Sequence, residues 1–183
     1  VWICDPVDGT HNFSHGIPTA TFMLSLLKNG APIVAVIYDP FMDRMYYAEA
    51  GKGAFLNGKE INVSKNETIK KSVIGLGKWN DGVCNLFPIA EELRNHGVRL
   101  VTGLSIGYMG ALVASGEFSA TLFGGRDPHD MVAIDLLVRE AGGDTSDLFG
   151  IKSKGHGKVN GQLASNGFVH EEIRSIIKQY GGK

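Results

Sequence analysis

The chain has 183 residues, of which 43% are hydrophobic, and a formal net charge of −1, so it can bury a sizeable core. No basic run is longer than Lys70-Lys71, which argues against nucleic acid or an anionic membrane as the main partner. The two cysteines form no CxxC motif, and no stretch resembles a membrane span or a signal peptide. This pattern favours a reducing compartment, the cytoplasm, and argues against a disulfide framework.

The first element is an apolar strand that leads directly into the motif Asp5-Pro-Val-Asp8-Gly-Thr10. We expect a turn after this strand to bring the carboxylates of Asp5 and Asp8 to one side, where a hard divalent cation accepts oxygen ligands. Gly9 allows the backbone to approach a ligand, and the N–H groups of Gly9 and Thr10 would meet an anion if a helix starts there. The segment therefore predicts a metal and phosphate site.

Other sites built from acidic residues need a different spacing. An ordinary Asp-Pro turn requires only one of these residues. A calcium EF-hand loop requires acids at alternate positions, which Val7 and His11 do not supply. Aspartyl-phosphate phosphatases of the haloacid dehalogenase type require Asp-x-Asp, whereas the residue two positions after Asp5 is Val7. Because the strand begins at residue 1 without an initiator Met, we interpret the sequence as a fragment that lacks an N-terminal part.

Apolar and β-branched runs at 21–27, 33–38 and 45–48 predict an antiparallel meander, which the Asn57-Gly58 hairpin signal continues. After residue 72 the pattern alternates, with strands predicted near 73–76, 98–102, 119–123 and 162–165 and helices near 87–95, 106–115, 131–141 and 170–180. The Lys- and Gly-rich loop 150–161 is predicted to be mobile. We therefore expect an α/β (α+β) layered sandwich of antiparallel and mixed sheets with helices, divided into parts 1–71 and 72–183.

A second acidic segment, Gly124-Gly-Arg-Asp-Pro-His129-Asp130, lies between a predicted strand and a predicted helix. Asp130 is placed at the helix start, where it can be an N-cap, a metal ligand or both. Three carboxylates clustered without a cation would repel one another and raise their pKa values. The three histidines near these motifs are expected to be loop residues or neighbours of the site rather than direct catalysts: His11, His15 and His129.

The two acidic segments resemble the signature segments of the inositol monophosphatase family, which comprises magnesium-dependent, lithium-sensitive phosphatases. The resemblance extends over essentially the whole chain and implies a sandwich of the sugar-phosphatase type. It also implies a homodimer that hydrolyses a small phosphomonoester of a sugar or polyol by means of a metal-activated water.

The resemblance assigns roles by motif position. Asp5 and the carbonyl of Val7 would bind one Mg²⁺, and a second Mg²⁺ would be bound by Asp5, Asp8 and Asp130. Asp5 would also belong to the catalytic group.

The neighbouring Gly9 and Thr10 would bind the phosphate through their N–H groups, and Thr10 would be catalytic. Ser105 and Ile106 match the substrate loop of the family and would offer backbone contacts.

The chain departs from the family pattern at three places. His129 replaces a Trp, and Phe123 replaces a Glu that often contacts a substrate hydroxyl in enzymes acting on inositol phosphates. The second departure leaves fructose-1,6-bisphosphatase-like and histidinol-phosphatase-like activities open. An upstream region carrying a metal-binding Glu and an acidic partner for Thr10 is not found in this sequence, so we expect the chain alone to hydrolyse phosphate esters poorly.

Two further readings stay open from the sequence. In one, the chain is a catalytically incomplete remnant that binds metal and phosphate. In the other, it is a structural or interaction protein in which the three aspartates are unrelated turn and cap residues. Convergence of the three carboxylates in the folded chain would argue against the second reading.

Overall fold

A computed structural model describes residues 1–77, 82–152 and 159–180. Residues 153–158, to which the predicted mobility of loop 150–161 mainly refers, lie outside the described residues. Among the helices of the described part, none has the length and apolarity needed to cross a bilayer.

Six strands of the described chain form an antiparallel sheet in chain order: β1 Trp2–Asp8, β2 Thr21–Lys28, β3 Ala31–Asp39, β4 Arg44–Glu49, β5 Ala54–Leu56 and β6 Lys59–Ile61. Alternate residues of β2 are buried, as expected for a strand with one face on the core. Asn57 and Gly58 connect β5 to β6 with positive φ values of 47° and 82°, which a two-residue type I′ hairpin requires. The predicted meander is confirmed.

The second half of the described chain forms a mixed sheet with the strand order β10-β11-β9-β7-β8. β7 pairs in parallel with β8 and β9, whereas β11 pairs antiparallel with β9 and β10. The strands are β7 Val73–Gly77, β8 Arg99–Thr102, β9 Ala120–Phe123, β10 Asp144–Ser146 and β11 Gln162–Ser165. β10 is the strand that the sequence pattern does not predict.

The helices of the described chain are α1 Thr10–Ser14, α2 Phe87–Asn95, α3 Ile106–Ala114, α4 Val132–Glu140 and α5 His170–Tyr180. α3 and α4 lie between the two sheets, and their buried residues share one hydrophobic cluster with β2, β3 and β4. α2 and α5 cover the other face of the second sheet and form a separate cluster with β7 and β9. The layered α/β sandwich predicted from the sequence is confirmed.

This arrangement creates one crowded edge. The parallel strands β7, β8 and β9 end at the same edge of the second sheet, at Gly77, Thr102 and Phe123. Ligands of open α/β sheets bind in the crevice outside such carboxyl ends. The end of β1 at Asp8 lines the same crevice as Gly77 and Phe123, so the first motif meets this edge.

Candidate active site

A β-bulge, rather than the expected turn, brings the first two aspartates to one face. Asp5 pairs with Met23 and Asp8 pairs with Thr21, so three steps along β1 oppose two steps along β2. Side chains alternate between the faces of a strand, so residues three apart would otherwise point in opposite directions. The extra residue in the bulge removes this mismatch. Pro6 is tolerated there because β1 is an edge strand of its sheet.

Asp8 is almost fully buried, with 6% of its surface exposed, and its carboxylate is held by hydrogen bonds. The Thr21 hydroxyl donates to Asp8 Oδ2 at 3.0 Å, and the Gly107 N–H in the first turn of α3 donates to the same oxygen at 2.7 Å. The carboxylate also lies at the positive end of the α3 dipole. Burial nevertheless raises the pKa of Asp8, and the nearby charge of Asp5 acts in the same direction.

Asp130 lies in a 3₁₀ turn, Pro128–Asp130, that contacts β1. The residue at the N-cap of α4 is Met131, and α4 has no side-chain cap, so the interpretation of Asp130 as an N-cap is wrong. The side chain of Asp130 instead joins Asp5 and His129. One oxygen of each carboxylate and one ring nitrogen of His129 lie within 4.8 Å of one another. Burial raises the pKa of Asp130 to about 6, and the charges of Asp8 and Asp5 contribute.

Asp8 and Asp130 line a cleft of about 700 Å³, and an oxygen of Asp5 lies within 4.8 Å of an oxygen of Asp130. One wall consists of the first motif, including Gly9 and Thr10. Gly9 has φ +84° and ψ 33°, the left-handed conformation that a side chain disfavours, and it directly precedes α1. A Cβ at Gly9 would lie 3.0 Å from Ser105 Cβ, so the glycine also permits a close approach to the substrate loop.

The loop before α3 forms the opposite wall of the cleft. Ser105 is the N-cap of α3, and its Oγ accepts a hydrogen bond from the Tyr108 N–H at 3.1 Å. The Ser105 N–H already donates to the Thr19 carbonyl at 3.2 Å. Ile106 begins α3 and lines the cleft, so of the two loop residues it is the one placed with a helical N-terminus towards the site.

Asn12 connects the two walls. Its side-chain amide donates to the Gly103 carbonyl at 2.6 Å and to Thr19 Oγ1 at 2.7 Å. These bonds join α1 to the loop after β8, 91 residues further along the chain. The first motif and the substrate loop are therefore held at a defined separation.

The donor set fits a divalent cation. Asp5 and Asp130 come from segments more than a hundred residues apart, yet their oxygens lie within 4.8 Å, and Asp8 lines the same cleft. Burial is the main cause of the raised pKa values of Asp8 and Asp130, and the neighbouring carboxylates add to the rise because like charges are unfavourable in a partly buried site. Carboxylate oxygens are the ligands that Mg²⁺ and similar hard cations prefer.

Sequence reasoning missed several residues of this site. It gave His129 little weight, and it assigned no role to Thr21 and Gly107, which hold Asp8. These residues lie 13 and 99 positions from Asp8, so no short motif contains them. A Cβ at Gly107 would lie 3.0 Å from Asp8 Oδ2 and closer still to Met23 and Thr21, so the requirement for glycine is a tertiary one. The other two histidines, His11 and His15, pack ring against ring at 4.5 Å on α1 and its C-cap.

The sequence of this chain is similar to a known family and to several of its members. The model of the inositol monophosphatase family matches residues 1–181. A fructose-1,6-bisphosphatase/inositol-1-monophosphatase from Thermotoga maritima is 32% identical, and the aligned region covers 100% of this chain and 71% of the relative. An inositol-1-monophosphatase from Mesorhizobium japonicum is 38% identical, with coverage of 97% and 67%.

Solved structures agree with the sequence relatives. The inositol monophosphatase from Anabaena (Nostoc) superposes with a TM-score of 0.90 at 32% identity, covering 98% of this chain and 71% of the other. An IMPase/NADP phosphatase complexed with Mg²⁺ and phosphate superposes with a TM-score of 0.86 at 26% identity, with coverage of 99% and 67%. The fold of this chain is therefore similar to that of proteins crystallised with a metal and a phosphate.

Proposed function

The chain belongs to the inositol monophosphatase family, whose members are phosphoric monoester hydrolases, and we propose that its cleft hydrolyses a phosphomonoester of a sugar or polyol with Mg²⁺ as cofactor. The observation that carries the proposal is the convergence of Asp5, Asp8 and Asp130 at one cleft. A cluster of three carboxylates destabilises a folded chain unless a cation binds there, so the cluster favours a metal site over a purely structural role.

The proposed metal ligands are the side chains of Asp5, Asp8 and Asp130 together with the carbonyl of Val7. Asp8 uses Oδ2 for its two protein hydrogen bonds, so we assign Oδ1 to the cation. Asp5 Oδ1 accepts the Val7 N–H at 3.0 Å, which orients both groups within the bulge. Bound divalent cations would neutralise phosphate oxygens and lower the pKa of a water that attacks phosphorus.

The residues after Asp8 are proposed to bind the phosphate. The N–H groups of Gly9 and Thr10 lie in the first motif wall of the cleft, and backbone N–H groups bind anions without a proton transfer. Thr10 is exposed, and we propose that its side chain orients the attacking water. On the opposite wall, the Ile106 N–H is proposed to contact the substrate.

Phe123 limits which substrate can be assigned to the cleft. Phe123 is 8% exposed and lines the cleft at the end of β9. Its ring is packed against Gly77 and Gly125, where added Cβ atoms would lie 3.2 and 2.1 Å from ring carbons. A ring at this position offers no hydrogen bond to a substrate hydroxyl. We therefore leave the substrate as a sugar or polyol phosphate, without assigning inositol phosphate; one relative is named for fructose-1,6-bisphosphate as well.

The proposal is tested by phosphate release from a panel of sugar and polyol phosphates with and without Mg²⁺. Asp130→Asn should abolish the Mg²⁺-dependent rate and also the Mg²⁺-dependent rise in thermal stability. The matched control is Glu91→Gln, which removes an exposed carboxylate on α2 outside the cleft. Mg²⁺ that neither stabilises nor activates the unmodified chain would contradict the proposal. Mg²⁺ that stabilises the chain without phosphate release, either from this chain or from a longer form that carries the upstream region, would favour the metal- and phosphate-binding remnant.

Three further properties follow from the family assignment as proposals. Li⁺ should inhibit by competing for the Mg²⁺ site, which an inhibition series at several Mg²⁺ concentrations measures. The chain should form a homodimer, which sedimentation velocity measures. The two free cysteines are consistent with a cytoplasmic location.

A further inference from the structure

The His129 ring lies close to two carboxylates of the candidate site. Its Nε2 lies 3.4 Å from Asp130 Oδ1, and a ring nitrogen also lies within 4.8 Å of an Asp5 oxygen. Two ligands of one cation, each about 2.0–2.4 Å from it, lie no more than roughly 4 to 5 Å apart. The imidazole and the two carboxylates therefore meet the distance requirement for a shared cation.

A second histidine and carboxylate pair in the same chain provides a comparison. His96 Nε2 lies 3.2 Å from Glu92 Oε1 on the exposed side of α2, one helical turn apart. That contact is an ordinary pair at helical spacing. His129 differs because it approaches two carboxylates that come from different segments, and one of them, Asp130, has only 16% of its side chain exposed. A single ion pair does not require the second carboxylate.

We propose that His129 is a direct metal ligand, so that the site with Asp5 and Asp130 has a mixed nitrogen and oxygen donor set that binds Mn²⁺ and similar transition-metal cations. The inference rests on the proposed function, because it assumes that the aspartates hold a cation. It adds a ligand that the family resemblance does not supply, since a Trp stands at this position in the family pattern.

A nitrogen ligand increases the affinity for some cations more than for others. Imidazole nitrogen is a common ligand for transition metals such as Zn, Cu, Fe and Ni, whereas Mg²⁺ selects oxygen donors. Mn²⁺ accepts oxygen donors and stands above Mg²⁺ in its affinity for nitrogen, so it can use all three side chains. His129 should therefore increase the affinity for Mn²⁺ with little effect on the affinity for Mg²⁺.

The test combines two measurements, the affinity for each metal ion and the spectrum of the bound Mn²⁺. Calorimetry with Mn²⁺ and with Mg²⁺ is compared for the unmodified chain, His129→Phe and His129→Asn, with His96→Asn as the matched control. Loss of even an indirect contact to a metal ligand costs about 10- to 100-fold in affinity, so His129→Phe should weaken Mn²⁺ binding by at least about tenfold. The affinity for Mg²⁺ should fall by a smaller factor than that for Mn²⁺, because Mg²⁺ loses only the contact that His129 makes with Asp130, and His96→Asn should change neither.

Pulsed electron paramagnetic resonance of bound Mn²⁺ gives a readout independent of activity. The unmodified chain should show a coupling to a directly bound imidazole nitrogen, and both His129 variants should lose it. Absence of the coupling, together with unchanged Mn²⁺ affinity in His129→Phe, would overturn the inference while leaving the proposed function intact. Failure of the unmodified chain to bind either ion would overturn both.

Discussion

Asp8 and Asp130 face the same cleft but are held in different ways. Asp8 is built into the fold, since its Oδ2 accepts hydrogen bonds from Thr21 and from the first turn of α3. Asp130 lies in a short 3₁₀ turn, where its carboxylate contacts His129 and the charges of Asp8, Asp5 and Asp127 act on it. The comparison indicates that the Asp8 carboxylate is positioned by hydrogen bonds from two other elements, whereas the Asp130 carboxylate contacts the half-exposed His129.

We therefore expect different effects from substitutions around Asp8 and around Asp130. Changes around Asp8 should affect the folded state as well as catalysis, because its hydrogen bonds connect β1, β2 and α3. Changes around Asp130 should affect metal binding, and in the metal-free protein they should relieve repulsion.

Apart from Asp130→Asn, the largest effect is expected for Asp8→Asn. The amide oxygen can still accept from Thr21 and Gly107, so the free energy of unfolding should change by less than about 1 kcal/mol. The amide nitrogen that replaces the other oxygen cannot bind a cation, and kcat for Mg²⁺-dependent hydrolysis should fall by a factor on the order of 100. Steady-state kinetics and urea unfolding measure the two quantities. Unchanged activity at saturating Mg²⁺ would refute the assignment of Asp8.

Gly107→Ala should damage the Asp8 side through packing. The added Cβ would lie 2.4 Å from Met23 Sδ and 2.7 Å from Thr21 Oγ1, so the unfolding free energy should fall by about 2–3 kcal/mol. Gly97→Ala is the control, since its Cβ meets open space and only the positive φ of 79° is unfavourable, at about 1 kcal/mol. Equal losses in the two variants would show that the space around Asp8 is not tightly filled.

The pH dependence of stability should report the Asp130 side. In the folded, metal-free chain Asp130 keeps its proton up to about pH 6, whereas the ordinary pKa is 3.8. The folded state thus binds more protons between these values, and the unfolding free energy should fall by roughly 1–2 kcal/mol as the pH rises from about 4 to about 6.

Two comparisons check the origin of that slope. Asp130→Asn should flatten most of it, and the slope remaining should come from Asp8, whose pKa is raised in the same direction. With saturating Mn²⁺ the slope should reverse, because the cation binds the deprotonated carboxylates. Chemical unfolding at a series of pH values measures both effects. An Asp130→Asn variant with the same slope as the unmodified chain would contradict the raised pKa of Asp130.

The smallest effect is expected for Thr21→Val, which removes one of the two donors to Asp8 Oδ2. The Gly107 N–H remains, but the Thr21 hydroxyl also shares a hydrogen bond of 3.0 Å with Ser105 Oγ, so the unfolding free energy should fall by about 1–2 kcal/mol. Thr102→Val, at an exposed threonine of β8, should change it by less than about 0.5 kcal/mol. If both variants are equally stable, the hydrogen bond to Thr21 contributes nothing measurable.

Most of the fold was predictable because its elements have strong local signals. The alternation in β2, the Asn57-Gly58 turn and the apolar faces of α3 and α4 are properties of short segments. β10 was not predictable, because Asp144–Ser146 is a polar segment that becomes a strand by pairing with β11.

The sequence by itself determined the family and which residues are proposed for the site. Asp5, Asp8, Gly9 and Thr10 stand together in one motif, and the resemblance of this motif and of the segment ending at Asp130 to a phosphatase family was confirmed by the family match over residues 1–181.

Only the tertiary structure decided how these residues meet. The bulge in β1 depends on register with β2, the hydrogen bond from Gly107 to Asp8 joins residues 99 positions apart, and the 3₁₀ turn directs Asp130 and His129 towards Asp5. Local propensity does not encode such contacts, because each depends on how separate elements pack. The proposed ligands Asp5, Asp8 and Asp130 could therefore be named from the sequence, whereas the approach of His129 to Asp5 and Asp130 required the folded chain.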